Sequence, residues 1–241
     1  KAARDRLLAE RQIRQPNMVL PTSAHAAFAK AGAYFGVEVR RVAVGPDWRA
    51  DVAAMRNCVD ENTVLIVGSA PQYPQGVVDD IVSIAQIASD AQINCHVDAC
   101  MGGVTLAYLE RLGEKIAPWN LQVPGVSSIS VDLHKFGYTS KGASVIMYAS
   151  KHLRSYQGFV TTDWLGGMYG SSGVLGTKSG GSMASAWAVM HFLGDDGYLR
   201  LTRQAREATL QLASIIRDSA ELVLRAEPES TLLCFGAQDP T

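Results

Sequence analysis

The stretch TVLIVGSAPQYPQGVVDDIVSIAQIASDAQINCHVD, residues 63–98, decides the fold. Two short apolar runs, Thr63–Gly68 and Ile93–Asp98, bracket Asp79–Ala91, where Ile and Ala recur at helical spacing. Strand, helix and strand in that order make a parallel unit, because parallel neighbours need a crossover that carries the chain back along the sheet. Upstream the alternation continues with a strand at Val37–Val44 and a helix at Trp48–Val59. Downstream, β-type runs at Ser127–Asp132 and Ala143–Tyr148 flank a polar segment, His134–Gly142, short enough to turn between neighbouring strands. The pattern predicts an α/β fold with a mostly parallel sheet between helices.

The opening KAARDRLLAERQI reads as a helix, and the chain starts without Met, as expected of a piece of a longer polypeptide. Beyond a Gly-rich stretch from Gly166 to Gly181, helical periodicity resumes at Met183–Leu193 and from Tyr198 to about Leu224. Thr231–Gly236 reads as the first strand of a further unit. The expected division is a large domain over 1–224 and the start of a smaller C-terminal domain over 225–241.

Composition removes several function classes. The 241 residues are 47% hydrophobic, enough to bury a sizeable core. Lys plus Arg number 22 against 23 Asp plus Glu, so no excess of positive charge marks a nucleic-acid groove or a membrane-surface patch. No apolar run is long enough to span a bilayer, and charged Lys1–Arg6 stand where a signal peptide would be apolar, which predicts a soluble chain. Cys58, Cys95, Cys100 and Cys234 are scattered without CxxC spacing, so neither a zinc site nor a disulfide framework is indicated; reduced thiols fit a cytoplasmic location.

Three segments carry chemistry. In HVDACMGG, residues 96–103, a carboxylate closes an apolar strand, the end at which open α/β sheets bind ligands. Asp98 either caps the helix that follows or accepts a hydrogen bond from a protonated ring nitrogen, whose positive charge it would stabilise. In SISVDLHKFGY, residues 128–138, a strand leads into adjacent His134 and Lys135. Lys135 is either a surface lysine or a partly desolvated amine able to form an imine, with His134 as a donor beside it and Gly137 allowing a tight turn. In PTSAHAAF, residues 21–28, His25 stands among small residues at a helix start, either as a packed histidine or as a flat wall for a planar group.

Taken in order, His25, Asp98 and Lys135 match the ring-stacking group, pyridinium partner and Schiff-base lysine of fold-type I enzymes that use pyridoxal 5′-phosphate (PLP). The segments PTSAHAAFAKAGAYFG, GSAPQYPQGVVDDI, HVDACMGG, SISVDLHKFGYTSKGASVIMY, TTDWLGGMYGS and GTKSGGSMASAWAVMHFLGDDGY run collinearly from about Pro16 to Gln204. They resemble the group II decarboxylase family, and within it the sphingosine-1-phosphate lyases.

The resemblance implies a fold-type I PLP-dependent transferase-like large domain over 1–224. It implies a PLP-dependent lyase that cleaves phosphorylated sphingoid bases to a long-chain aldehyde and phosphoethanolamine. By similarity Lys135 holds the cofactor, Asp98 pairs with its pyridine nitrogen and His25 stacks on its ring. His134 resembles a residue that helps hold the cofactor phosphate, and Ser130 belongs with the cofactor-binding residues. Lys141 resembles a second active-site lysine, near the substrate's phosphate or reacting hydroxyl. Tyr73 occupies a position of an aromatic residue at the site's edge, as a proton shuttle or as packing. The loops Thr162–Gly167 and Gly176–Gly181 resemble segments that approach the cofactor across a homodimer interface.

This sequence also departs from the pattern: the family's Gly-Gly-Thr phosphate turn would precede Lys1, Lys178-Ser179 replaces an Arg-Pro pair, and Leu133 stands where Thr or Ala is usual. The nearest alternative is an amino-acid decarboxylase of the same family, which shares all three cofactor residues. A non-catalytic PLP-fold protein would be expected to have lost at least one of them.

Overall fold

The computed structural model describes residues 1–238. Its centre is a six-stranded sheet in the order β2-β1-β3-β4-β5-β6, with β1 Asn17–Pro21, β2 Glu38–Val42, β3 Thr63–Ser69, β4 Asn94–Asp98, β5 Val126–Asp132 and β6 Ser144–Tyr148. The first five run parallel and β6 pairs antiparallel with β5. Strands β1 and β3 are buried almost throughout, which is why β3 reads as a continuous apolar run rather than an alternating one.

Helices α1 Ala2–Arg11, α2 Ala27–Phe35, α3 Val52–Cys58, α4 Ile81–Ala91 and α5 Gly102–Arg111 surround the sheet. In α4 the buried positions are Ile81, Ile84, Ala85, Ile87 and Ala88, one face at helical spacing, and that face packs on Gly68 of β3. Asp80 caps it by accepting the Ser83 N–H at 3.0 Å, and Gln92 closes it in a left-handed conformation. The larger core lies on this side, with Val19, Ile66, Cys95, Val97 and Ile129 from the strands and Leu106 and Leu109 from α5. A smaller cluster of Met18, Leu20 and Val67 lies with Phe28 of α2.

The βαβ unit at residues 63–98 forms as expected, and several boundaries move. Trp48 has φ +66° and Asp51 caps Ala54 N–H at 2.9 Å, so α3 begins at Val52 rather than at Trp48. Asp79 is a buried carboxylate ahead of α4, accepting from Ala50 N and Ser69 N at 2.8 Å each. The long C-terminal helix α7, Gly180–Arg217, is interrupted at Gly194 and stops short of Leu224, because Ser219 Oγ accepts the N–H groups of Glu221 and Leu222. Leu222–Leu224 is instead β9, paired antiparallel with β10, Phe235–Ala237, the part of the expected final strand that forms. Strand β1 was not anticipated at all.

Short α6, Lys151–Ser155, and the hairpin of β7, Phe159–Thr161, and β8, Tyr169–Ser171, precede α7. Of the expected C-terminal unit 225–241, residues 239–241 lie outside the described residues. Its remainder is tied to the body by the Arg49–Glu229 ion pair and by Arg206, which donates to Pro228 O at 2.9 Å and Ser230 O at 2.7 Å. Among the described residues no helix is long and apolar enough to cross a membrane.

Candidate active site

Strand order reverses between β1 and β3: the chain leaves β1 toward β2 on one side and resumes with β3 on the other. Loops diverge at such a point and leave a crevice beyond the carboxyl ends of the strands. A cavity of about 450 Å³ lies there, and its walls include His25, Tyr73, Asp98, Ser130, Asp132 and Lys135.

The groups arrive from the ends of four strands. His25 follows β1 and its Nδ1 accepts the Ala27 N–H at 3.1 Å, which fixes the ring at the start of α2. Tyr73 sits in the loop after β3, whose backbone is organised by the buried Gln72: its Oε1 accepts Gln75 N–H at 2.8 Å and its Nε2 donates to Gln75 Oε1 at 2.7 Å. The Ala70–Pro71 peptide in this loop is cis.

Asp98 ends β4 and Ser130 faces it directly on β5. Asp98 Oδ1 accepts from Cys100 N at 3.1 Å and from Ser130 Oγ at 3.4 Å. Both bonds fall on one oxygen, so the lone pairs of Oδ2 are left for a donor in the cavity. The helix-cap alternative accounts for only part of this: α5 starts at Gly102, and Met101, not Asp98, is its capping residue.

Gly102 and Gly103 let α5 sit close enough to form this wall. A Cβ on Gly102 would stand 2.2 Å from Ala70 O and 2.5 Å from Pro71 Cδ; one on Gly103 would stand 2.5 Å from Val131 Cγ2. Glycine is required at both positions by close backbone approach.

Lys135 lies in the turn after β5, and its Nζ is 2.9 Å from Asp132 Oδ2, the last residue of that strand. His134 Nε2 is 3.7 Å from the same oxygen, and Ser144 Oγ donates to Oδ1. Burial pushes the Asp132 carboxyl up, but hydrogen bonds from Ser144 and Lys135 more than offset it and hold the group below its ordinary range. Nearby, burial and the charge of Asp98 push the Cys100 thiol up to about 12, leaving it protonated and unreactive.

The cavity therefore gathers His25, Asp98, Ser130, Lys135 and Tyr73. It does not gather His134 or Lys141. The Nδ1 of His134 is committed to Ala143 O at 2.8 Å, and Lys141 is exposed in the turn leading to β6. Asp132 and His96 were missed from sequence. The available signal was period two: His96 and Asp98 share one face of β4, and Ser128, Ser130 and Asp132 share the facing side of β5.

The chain's nearly full length, residues 1–238, matches the model of the pyridoxal-dependent decarboxylase conserved domain. Sphingosine-1-phosphate lyase of Arabidopsis thaliana is 40% identical over 238 residues, 99% of this chain and 44% of that protein. Sphingosine-1-phosphate lyase 1 of Rattus norvegicus is 40% identical over 240 residues, covering 99% of this chain and 42% of that protein. A solved sphingosine-1-phosphate lyase of Burkholderia pseudomallei superposes with a TM-score of 0.94 at 40% identity, covering 98% of this chain and 54% of that one. The chain thus spans about half the length of the proteins it matches.

Pyridoxal phosphate presents an aldehyde, a ring nitrogen and a flat aromatic face. The cavity offers a primary amine, a carboxylate with one oxygen unengaged and an imidazole on its wall, a donor set that fits those three features. Such a set at the switch point of a mostly parallel sheet, together with the match across residues 1–238, places the chain in the pyridoxal-dependent decarboxylase family.

Proposed function

We propose that this chain is the cofactor-binding core of a PLP-dependent carbon–carbon lyase acting on phosphorylated sphingoid bases. The observation that carries the reading is the convergence of Asp98 and Lys135, from the ends of adjacent strands, on one cavity. The substrate class is supported by 40% identity to proteins named for that activity.

When bound, the cofactor supplies an electron sink for a carbanion at the amine-bearing carbon. Asp98 would accept a hydrogen bond from the ring nitrogen and favour its protonated form. Lys135 would hold the cofactor through its side-chain amine, and Asp132 Oδ2, 2.9 Å from Lys135 Nζ, pairs with that group when it is a free ammonium. His25, on the cavity wall, would cover one face of the ring, and Ser130 braces Asp98.

In the reaction the bond between the hydroxyl-bearing and amine-bearing carbons breaks. The hydroxyl proton passes to a base, a long-chain aldehyde departs, and the amine-bearing carbon takes up a proton to leave phosphoethanolamine. Tyr73 lines the cavity and is better placed than Lys141 to take the hydroxyl proton, a step worth on the order of 100- to 10,000-fold. By resemblance alone, His134 is assigned to the cofactor phosphate and Lys141 to the substrate's phosphate or its reacting hydroxyl.

The active form is a homodimer in this proposal. Met168 and Val174, in the segment that joins the two loops expected to reach the neighbouring site, are 78% and 80% exposed, and Phe192 of α7 is 88% exposed. Four free cysteines support a reducing, cytoplasmic setting.

The test is incubation of the PLP-loaded full-length enzyme with a phosphorylated sphingoid base and, separately, with aromatic and acidic amino acids. Long-chain aldehyde and phosphoethanolamine are expected. Release of carbon dioxide from the amino acids, without aldehyde from the lipid, would assign the chain to its decarboxylating relatives instead.

A further inference from the structure

We propose that His96 is a positioning residue for Asp98, acting through the Ser130 hydroxyl to hold the carboxylate aimed at the cofactor's ring nitrogen. The inference rests on the reading that Asp98 meets that nitrogen.

His96 is buried on β4, two residues before Asp98, beneath the Phe28 ring at a centroid distance of 5.9 Å. Both its nitrogens are engaged: Nδ1 lies 2.8 Å from Ser128 Oγ and Nε2 lies 3.1 Å from Ser130 Oγ. Ser130 Oγ in turn meets Asp98 Oδ1 at 3.4 Å and receives the Cys100 thiol at 3.3 Å. The strand register builds this arrangement, since His96 faces Ser128 and Asp98 faces Ser130 across β4 and β5.

Proton counting gives the network a direction. An ionised carboxylate only accepts, and a hydroxyl has one proton to give. Ser130 must therefore donate to Asp98 and accept from both Cys100 Sγ–H and His96 Nε2–H. With its proton on Nε2, neutral His96 has a bare Nδ1, which accepts from Ser128. Every group is then satisfied in one sense only. Only a proton on Asp98 Oδ1 would require Ser130 to accept, turning the serine's proton toward His96 and reversing the imidazole tautomer. With Oδ1 accepting from both Cys100 N and Ser130 Oγ, the tautomer of His96 is fixed. Burial pushes the imidazole down to about 4, with Asp98 opposing, so the ring keeps one donor and one acceptor at neutral pH. A histidine that merely filled the wall would need neither aligned serine.

The test uses the PLP-loaded full-length enzyme and two readouts besides turnover: the NMR shift of an isotope-labelled cofactor ring nitrogen, and the dissociation constant for the cofactor. For His96→Leu the ring-nitrogen signal moves toward the unprotonated form and cofactor binding weakens about ten-fold, as for loss of a hydrogen bond supporting a charged group. His96→Gln, whose amide N–H can stand in for Nε2–H, regains most of both. Ser130→Ala produces the same changes, and the His96→Leu/Ser130→Ala double variant is no worse than Ser130→Ala alone, because one residue acts through the other. An unmoved ring-nitrogen signal in His96→Leu, or losses that add in the double variant, overturns the proposal. If His96→Leu does not fold, an unmoved signal in Ser130→Ala overturns it. Asp98→Asn separates the two levels: a signal unchanged there removes the underlying reading, whereas a signal that moves there but not in the other variants removes only the role of His96.

Discussion

Gly102→Ala should destabilise the protein although alanine is the better helix former. The gain is bounded: replacing glycine in a helix is worth up to about 1 kcal/mol. Against it stands a Cβ placed 2.2 Å from Ala70 O, 2.5 Å from Pro71 Cδ and 2.8 Å from Leu106 Cδ1. Overpacking costs about 1–3 kcal/mol where side chains can yield. Here two of the three obstacles are a carbonyl and a proline ring, in a loop pinned by the 2.9 Å bond from Ala70 N to Asp98 O. The cost therefore falls at the upper end, about 3 kcal/mol, for a net loss of about 2 kcal/mol. At about 2–4 °C per kcal/mol for a domain of this size, the midpoint of thermal unfolding drops by about 4–8 °C. Gly180→Ala is the matched control, since a Cβ there meets nothing within 4 Å, and its midpoint should hold or rise. Because Pro71, Asp98 and Met101 line the same cavity, cofactor affinity should fall in Gly102→Ala alone. Thermal scans of both variants without cofactor, followed by titration with PLP, make the comparison. A Gly102→Ala protein as stable as Gly180→Ala would refute the claim that close packing of α5 shapes the site.

Asp98→Asn should lower turnover by roughly 10- to 1,000-fold, the one to three pKa units an opposite charge is worth to the ring nitrogen, read from steady-state rates. Lys135→Ala should abolish both turnover and the absorbance of the covalently held cofactor, read from the visible spectrum; persistence of that absorbance would reject Lys135 as the tether. Burial pushes Asp79 up to about 6 from an ordinary 3.8, so the native state holds this proton more tightly than the unfolded chain does. Its ionisation consequently costs stability as pH rises from about 4 to about 6, by about 3 kcal/mol, and the cost stays constant above that. Urea titrations of wild type and Asp79→Asn across this window should show the wild type losing about that much relative to the variant, and parallel profiles would contradict it.

The parts of the molecule legible in sequence were those in which one segment determines its own role. Residues 63–98 form strand, helix and strand because buried parallel strands are continuously apolar and α4 keeps its apolar positions on one face. Asp98 and Lys135 stood out because each follows an apolar run into small or polar residues. Strand β1 escaped notice because Asn17–Pro21 begins with an amide and ends in proline; Asn17 is accommodated by its bond to Asp60 at 2.8 Å, a partner far along the chain. The end of α7 was misread for a similar reason, since Leu222–Leu224 has helix-compatible residues but finds a strand partner in Phe235–Ala237. Asp132 and His96 acquire meaning only from the register of β4, β5 and β6, which aligns Asp98 with Ser130 and Asp132 with Ser144. Lys141 lies six positions beyond Lys135, yet the turn through Tyr138 at φ +60° carries it to the surface and away from the cavity wall.

The claim on which the rest depends is that Lys135 tethers the cofactor. Borohydride reduction of the PLP-loaded full-length enzyme, followed by peptide mapping, tests it directly. The account predicts one stable pyridoxyl modification, on the peptide containing Lys135. A label on Lys141, Lys178 or any other lysine, or none at all in enzyme that turns over, would contradict it.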